Sequence, residues 1–440
     1  MESLIVDKVT LLERIRTKEA VVGVVGLGYV GLPFAVEKAK VGYRVVGIEQ
    51  NPQRAAKVNR GENYIRDVRD EELRRLVAEG RIVAETDFER VAEMDVVVIC
   101  VPTPLTKNLT PDLQYVERVT HEIGRRLRPG QLISLESTTY PGTTEEVMLP
   151  ILERESGLRV ERDFFLAHSP ERVDPGNRRY TTRNTSKVVG GVGPESLEVA
   201  VAFYRQTIEQ VVPVSSAKAA ELVKVFENTF RAVNIALVNE LALLCDRMGL
   251  NVWEVLEAAF TKPFGIMAFW PGPGVGGHCI PIDPHYLEWK AKELDFNTHF
   301  IALAGEINRQ MPLFVREKAY RVLNRMGVAP SCARVLLLGV AYKRDVEDWR
   351  ESPALAVWRL LEADGVEVRY HDPYVPEFQW EGRCYRSVPL TGEEVSGADL
   401  VIITTDHSVI DYGWVVERAR AVLDTRYATR GIKSEKITLL

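Results

Sequence analysis

Residues 272–286 read GPGVGGHCIPIDPHY, which sets Cys279 just past a glycine-rich turn and Asp283 a few residues beyond it. Gly276 and Gly277 let other atoms approach the backbone closely, and Pro281 and Pro284 stiffen the chain after the thiol. Three chemistries fit: a packed thiol, a metal ligand, or a nucleophile. His278, Cys279, Asp283 and His285 are metal-ligand types, but their spacing matches no compact zinc pattern. An inert thiol suits Cys100 and Cys245, which lie in apolar runs. It suits Cys279 less, because a glycine-flanked loop gives access and a nearby lysine would favour the thiolate.

Two further groups have chemical potential. Lys224 and Asn228 are four residues apart in a helical stretch, with Glu221 one turn earlier, so all three share a face. The pair can stabilise a hydroxyl and the oxyanion it becomes; equally, Lys224 can be a solvated lysine partnered by Glu221. Glu171 in HSPERVDPGN and Thr138 in ESTTYPG each follow a strand candidate. They offer a carboxylate and a hydroxyl to position a water, or they simply terminate strands. Local pattern leaves both alternatives open.

The elements that must position these groups begin with AVVGVVGLGYVG at 20–31, an apolar run entering a glycine turn. Gly26, Gly28 and Gly31 form GxGxxG before a predicted helix, and Glu49 ends the next predicted strand. The first glycine permits the tight turn, the second a close approach to a pyrophosphate, the third close packing of helix on strand. Tyr29 and Val30 complete the turn, and Thr103 and Thr138 end later strand candidates. An acid at Glu49 accepts a ribose diol and repels a 2′-phosphate, so the expected cofactor is NAD.

DVVVICVPTP (95–104), QLISLESTTYPG (131–142) and DFFLAHSPER (163–172) alternate with helical stretches, predicting a parallel doubly wound sheet to about residue 210. A stretch without proline or glycine, 215–248, predicts one long helix. Helical pattern resumes at 298–326, where Pro312 predicts a kink or a new start. A second strand, loop, helix, strand unit occupies 333–375, followed by DLVIITTDH and AVLDTR as strand candidates. The fold class is α/β, with two α/β domains joined by a helical middle.

Composition narrows the setting. The 440 residues are 46% apolar, enough for several cores, and the net charge of −6 argues against general nucleic-acid binding. Five cysteines without a CxxC pair point to a reducing cytoplasm. The charged N-terminal segment has no signal-peptide core, and the longest uncharged run is broken by glycines and a proline, so no membrane association is expected.

Taken together, VVGLGYVGLPFA, CVPTP, ESTTYPGTT, SPERVDPGN, KVFENTFRAVNIALVNE, GPGVGGHCIPIDP, GVAYKRDVEDWRESPA and YHDP resemble, in order, the nucleotide-sugar 6-dehydrogenase family, the UDP-glucose and GDP-mannose dehydrogenase group. The resemblance implies an NAD-binding Rossmann domain at 1–212, a helical dimerisation domain carrying the cysteine loop at 213–328, and a Rossmann-like domain for the UDP-sugar at 329–440. It implies a four-electron oxidation at C6: after the first hydride leaves, Cys279 adds to the aldehyde, the thiohemiacetal is oxidised to a thioester, and water releases the uronate.

By the same resemblance, Lys224 and Asn228 stabilise alkoxide and oxyanion, Asp283 and Thr138 hold the hydrolytic water, and Glu171 is the base. Arg172, Val173, Gly276 and Gly277 approach the substrate, and Lys343, Arg350 and Arg426 its nucleotide and phosphates, although Arg350 and Arg426 equally fit salt-bridged surface positions. Two departures bear on the sugar. Ile282 stands before Asp283 where UDP-glucose enzymes commonly carry lysine, and TKPFGIMAFWPGPG lacks an arginine that some relatives contribute across the dimer. Both resemble the branch acting on UDP-N-acetylhexosamines: UDP-N-acetylglucosamine first, UDP-N-acetylmannosamine next, UDP-glucose third. The rival readings are a two-electron hydroxyacid dehydrogenase, which has no use for Cys279, and a non-catalytic nucleotide-sugar or NAD sensor, which would have lost the thiol or the lysine.

Overall fold

A computed structural model describes residues 2–65, 68–106, 108–172, 179–277 and 280–440. They form two compact units, Met1–Glu227 with His285–Asp295, and Asn228–Pro284 with Phe296–Leu440. No helix among the described residues is long and apolar enough to cross a membrane.

The first unit is built on eight strands: β1 Val21–Val25, β2 Arg44–Ile48, β3 Ile82–Glu85, β4 Val96–Ile99, β5 Leu132–Leu135, β6 Phe165–His168, β7 Lys187–Gly191 and β8 Val211–Val214. Their order is β3-β2-β1-β4-β5-β6-β7-β8. β1 lies between β2 and β4, so the winding reverses there, and the ligand crevice of such a sheet opens at that reversal, beyond the carboxyl ends of the strands. The inner strands β1 and β4 are apolar throughout because both faces are covered. Val96 and Val98 join one core with Phe34, Tyr43 and Phe203, while Val97 and Ile99 join another with Ile133 and Leu152.

One expectation is corrected. The sheet is not parallel throughout: β6 and β7 pair antiparallel through Ala167↔Gly191 and His168↔Gly190, while β7 and β8 pair parallel to each other. Among the described residues no helix crosses over between β6 and β7, and a parallel pair needs such a crossover.

The second unit carries β9 Arg334–Leu338, β10 Glu367–His371, the hairpin β11 Glu377–Trp380 with β12 Arg383–Arg386, β13 Leu400–Ile403, β14 Val422–Asp424 and β15 Ile437–Leu439. Its main sheet runs β10-β9-β13-β14-β15, all parallel. The helix Ala217–Met248 contributes residues to both units, as does the helix Asp283–Lys292. The helix His299–Arg325 continues through Pro312 rather than restarting there. Pro312 is buried, and tertiary packing holds a turn that the missing N–H alone would break.

Lys38 is the outlier in the first core. It is fully buried, its Nζ donates to the Phe203 carbonyl at 3.0 Å, and it lies 3.6 Å from the centre of the Phe203 ring. Burial holds its amine well below the ordinary lysine value; Glu136 opposes that shift and Lys187 adds to it. A lysine depressed in the folded state costs stability at every pH where the unfolded chain is protonated, and the cost vanishes above about pH 10.4. Lys38→Met is therefore expected to raise the melting temperature by ~2–4 °C at neutral pH, since the Phe203 carbonyl keeps Gln206 N at 3.3 Å. The gain should shrink as pH approaches 10 in thermal melts; a gain independent of pH would contradict the assignment.

Candidate active site

The turn after β1 gives its three glycines different surroundings. Gly26 has φ +90°, and a Cβ there would lie 2.5 Å from the Cys100 carbonyl oxygen. At Gly31 a Cβ would lie 1.8 Å from the Gly26 oxygen, so helix Gly31–Lys40 abuts the turn directly. A Cβ on Gly28 would meet nothing within 4 Å among the described residues. That open space adjoins the N-terminus of the helix, where no side chain caps the backbone from Val30. An uncapped helix start beside an open glycine is a place for a phosphate.

Glu49 is buried at the end of β2. It accepts Leu27 N at 3.1 Å on one oxygen and Asn51 N at 2.9 Å on the other, which ties the acid to the turn. Gly28, Tyr29, Asn51, Arg54, Lys57 and Tyr64 line a pocket at the same edge. Arg54 lies 5.6 Å from the Tyr64 ring centre, and the Tyr64 hydroxyl donates to the Leu27 carbonyl at 2.7 Å. Arg54 and Tyr64 were not candidates in the sequence, where nothing marks a lone arginine and a tyrosine ten residues on as wall partners.

At the carboxyl ends of the neighbouring strands, Thr103 Oγ1 donates to the Thr138 carbonyl at 2.6 Å. The Tyr286 hydroxyl donates to the Thr103 carbonyl, pinning both. Glu171 follows β6, next to β5, so it and Thr138 end adjacent parallel strands. Glu171 accepts Arg172 N at 2.7 Å and Lys187 Nζ at 3.1 Å. Arg172 itself forks onto Glu227, at 2.5 and 3.2 Å, and reaches the Ser186 carbonyl at 2.8 Å. Val173 and Cys279 lie outside the described residues.

The long helix uses Glu221 in a way the local pattern did not suggest. Glu221 is buried and accepts Gly142 N at 2.5 Å, Thr144 N at 2.8 Å and Thr144 Oγ1 at 2.7 Å. Its carboxylate anchors the ESTTYPGTT loop to the helix instead of serving as a solvated partner for Lys224. Burial pushes it up to about 7 even though three donors favour its charge. One turn on, Lys224 is half-buried, and Asn228, buried on the same face, donates through Nδ2 to Asp283 Oδ2 at 2.5 Å. Asp283 opens helix Asp283–Lys292, where a negative charge is favoured.

The glycines of 272–277 are spaces that other residues fill. A Cβ on Gly276 would lie 2.8 Å from the Glu351 carbonyl oxygen, and one on Gly277 2.9 Å from the Tyr342 ring. Gly272 lies against the Arg426 guanidinium, and its N–H donates to Asn239 Oδ1 at 3.0 Å. Gly276→Ala must therefore push backbone aside, and a loss of about 1–3 kcal/mol in thermal or denaturant unfolding is expected; an unchanged midpoint would contradict this packing.

Lys343 stands beside Tyr342 in the loop after β9. The two arginine alternatives separate. Arg350 forks onto Asp348 at 2.9 and 2.8 Å with its side chain half exposed. Arg426 is half-buried, and its Nε donates to the Thr404 carbonyl at 3.0 Å. Burial holds its guanidinium below the ordinary value, with Asp406 and Asp424 opposing.

Asp372, which ends β10 as Glu49 ends β2, was also missed. One of its oxygens accepts Val340 N at 2.8 Å, Ala341 N at 2.9 Å and His407 Nε2 at 3.1 Å. His407 Nδ1 accepts Asp345 N at 3.0 Å, so Nε2 carries the proton it gives Asp372. The turn after β9 therefore has its amides taken by its own acid, whereas Gly28 in the turn after β1 faces open space. Glu49 takes Leu27 N in the same way, so the difference is one of space: a Cβ on Gly339 would lie 2.4 Å from Thr405, whereas one on Gly28 meets nothing within 4 Å, which leaves room for a phosphate at the turn after β1.

Residues 20–208 match the NAD binding domain of the UDP-glucose/GDP-mannose dehydrogenase family, 218–310 its central domain and 336–431 its UDP binding domain. The chain is 39% identical over 388 residues to a UDP-N-acetyl-D-mannosamine dehydrogenase of Pyrococcus horikoshii, covering 88% of this chain and 89% of that one. It is 38% identical over 359 residues to a UDP-N-acetyl-D-glucosamine 6-dehydrogenase of Pseudomonas aeruginosa, covering 81% and 84%. A solved UDP-D-ManNAc dehydrogenase structure from Pyrococcus horikoshii superposes with a TM-score of 0.87 at 34% identity, over 95% of this chain and 98% of that one.

Proposed function

We propose, from the premise that this chain belongs to the UDP-glucose/GDP-mannose dehydrogenase family and is an NAD-dependent nucleotide-sugar dehydrogenase, that it oxidises C6 of a UDP-N-acetylhexosamine to the uronate through a thioester. The observation that carries the reading is the Asn228–Asp283 hydrogen bond, which joins the oxyanion-donor face of the long helix to the segment that contains Cys279. A two-electron hydroxyacid dehydrogenase needs the lysine and asparagine but neither the thiol nor the aspartate.

The Gly26–Gly31 turn and Glu49 would hold NAD, which would supply the hydride acceptor for both oxidations. The Lys224 ammonium and the Asn228 amide offset the charge on the sugar oxygen, first as alkoxide and then as oxyanion. Cys279 Sγ bonds the aldehyde carbon, and after the second oxidation that carbon is a thioester. Asp283 and Thr138 hold the water that attacks it, and Glu171 takes the water's proton as the carbon–sulfur bond breaks. Overall, alcohol, water and two NAD give carboxylate, two NADH and three protons.

Residues 1–212 hold the cofactor in this reading, 213–328 supply the helical middle and 329–440 hold the uridine diphosphate through Lys343, Arg350 and Arg426. Ile282 and the missing arginine favour a UDP-N-acetylhexosamine, of which UDP-N-acetyl-D-glucosamine is the first-choice sugar. UDP-N-acetyl-D-mannosamine is the alternative, favoured by the name of the Pyrococcus relative, with UDP-glucose third. Leu222, Phe226, Phe230, Leu237, Leu244 and Met248 form an exposed apolar stripe on one helix, which supports a homodimer through this helix. The free cysteines Cys100, Cys245, Cys332 and Cys384 suit a cytoplasmic enzyme, whose uronate product would enter polysaccharide synthesis.

Steady-state assays with the three UDP-sugars test the assignment. UDP-N-acetyl-D-glucosamine should give the highest kcat/KM. A higher value for UDP-glucose would overturn the N-acetylhexosamine reading, and a higher value for the mannosamine sugar would overturn only the first choice.

A further inference from the structure

Lys187 opens β7, a strand with no assigned role, and its side chain is 4% exposed. Its Nζ donates to Glu136 Oε2 at 3.0 Å and to Glu171 Oε2 at 3.1 Å. Glu136, fully buried just past β5, accepts the Tyr204 hydroxyl on its other oxygen at 2.9 Å. The Tyr204 oxygen in turn accepts the Ser134 hydroxyl at 2.8 Å. The chain Ser134, Tyr204, Glu136, Lys187, Glu171 thus runs from the inside of the sheet to a carboxylate that is 14% exposed, and Glu171 is its wet end.

The charges in this chain oppose one another in a specific way. An ammonium against Glu171 favours the ionised carboxylate but also makes it a poor proton acceptor. Glu136 divides that ammonium's charge. We propose that Lys187 and Glu136 are positioning residues for thioester hydrolysis, Lys187 holding Glu171 ionised and aimed, and Glu136 keeping it basic enough to take the water's proton. The inference rests on the reading of Glu171 as the base.

Among the described residues the other charged and titratable groups around this cluster are Arg172 with its partner Glu227, the buried Lys38 and His168, and the half-buried Cys100. Burial opposes charge on Lys187, yet Glu136 and Glu171 outweigh it and hold the ammonium well above the ordinary value. Burial likewise raises Glu136, against the pull of Lys187. In the step itself, Glu171 gains one proton from water as the water oxygen bonds the thioester carbon. Cys279 leaves as thiolate, the uronic acid releases the second proton, and no electrons are exchanged.

The test is single turnover of the UDP-N-acetylhexosamine that the unsubstituted enzyme oxidises, with hydrolysis followed by intact mass of the covalent enzyme across a pH series. Lys187→Met should slow hydrolysis about 10- to 100-fold at neutral pH and move the acid limb up by about 1–3 pH units, so that raising pH restores the rate. Glu136→Gln should move the limb down, and high pH should not restore its rate. Lys187→Arg, which keeps the charge, should hold the limb near its original position. Melting curves show which variants fold, and if Lys187→Met does not, the direction of the Glu136→Gln limb decides. Limbs that stay in place in folded variants would overturn the inference. Glu171→Gln separates it from its premise: ordinary hydrolysis in that variant would overturn the base assignment, whereas accumulated adduct there with unmoved limbs in the other variants would overturn only the role of Lys187 and Glu136.

Discussion

Cys279→Ser is expected to lower uronate formation by at least about 10³-fold, roughly 4 kcal/mol of transition-state stabilisation, while leaving NAD binding intact. The reason lies in the second oxidation. An aldehyde becomes a hydride donor only after a nucleophile has added to its carbon, and a serine hydroxyl is far less nucleophilic than a thiolate at neutral pH. The first oxidation does not need the thiol, so the variant should release at most one NADH per sugar in a rapid-quench experiment. Uronate appearing at the ordinary rate would remove Cys279 from the mechanism.

The second large effect separates two glycines three residues apart. Gly28→Ala should fold normally, because nothing lies within 4 Å of the added methyl group. It should nevertheless weaken NAD binding about tenfold or more, ~1.4 kcal/mol, since that methyl takes the space a pyrophosphate needs. Gly31→Ala should instead destabilise the first unit by about 1–3 kcal/mol or more, because its methyl would sit 1.8 Å from the Gly26 carbonyl oxygen. Titration with NAD and unfolding curves read the two effects independently. Unchanged NAD affinity in Gly28→Ala would contradict the assignment of this turn.

Much of this was readable from the chain because the signals are local. A strand, three glycines, a helix and an acid at the next strand end are recognisable together, and 215–248 declares itself a helix by lacking breakers. The direction of β7 was not readable: strand polarity follows from how the chain returns, and a polar loop without helical period carries no sign of it. Lys187 was equally hidden, since Glu136 and Glu171 meet it only through pairing across the sheet. Glu221 shows the limit of helical spacing, which placed it on the face of Lys224 but could not show that Gly142 and Thr144 would claim its oxygens. The glycines at 276 and 277 looked like access for a substrate. Space is what a glycine supplies, and only the fold shows that Tyr342 and Glu351 occupy it.

The thioester route is tested most directly by the count of NADH formed per sugar oxidised, measured by absorbance against uronate quantified chromatographically in the same reaction. Two NADH per uronate, with no free aldehyde, is the result expected of a thioester route. One NADH per sugar with aldehyde as the final product would contradict it.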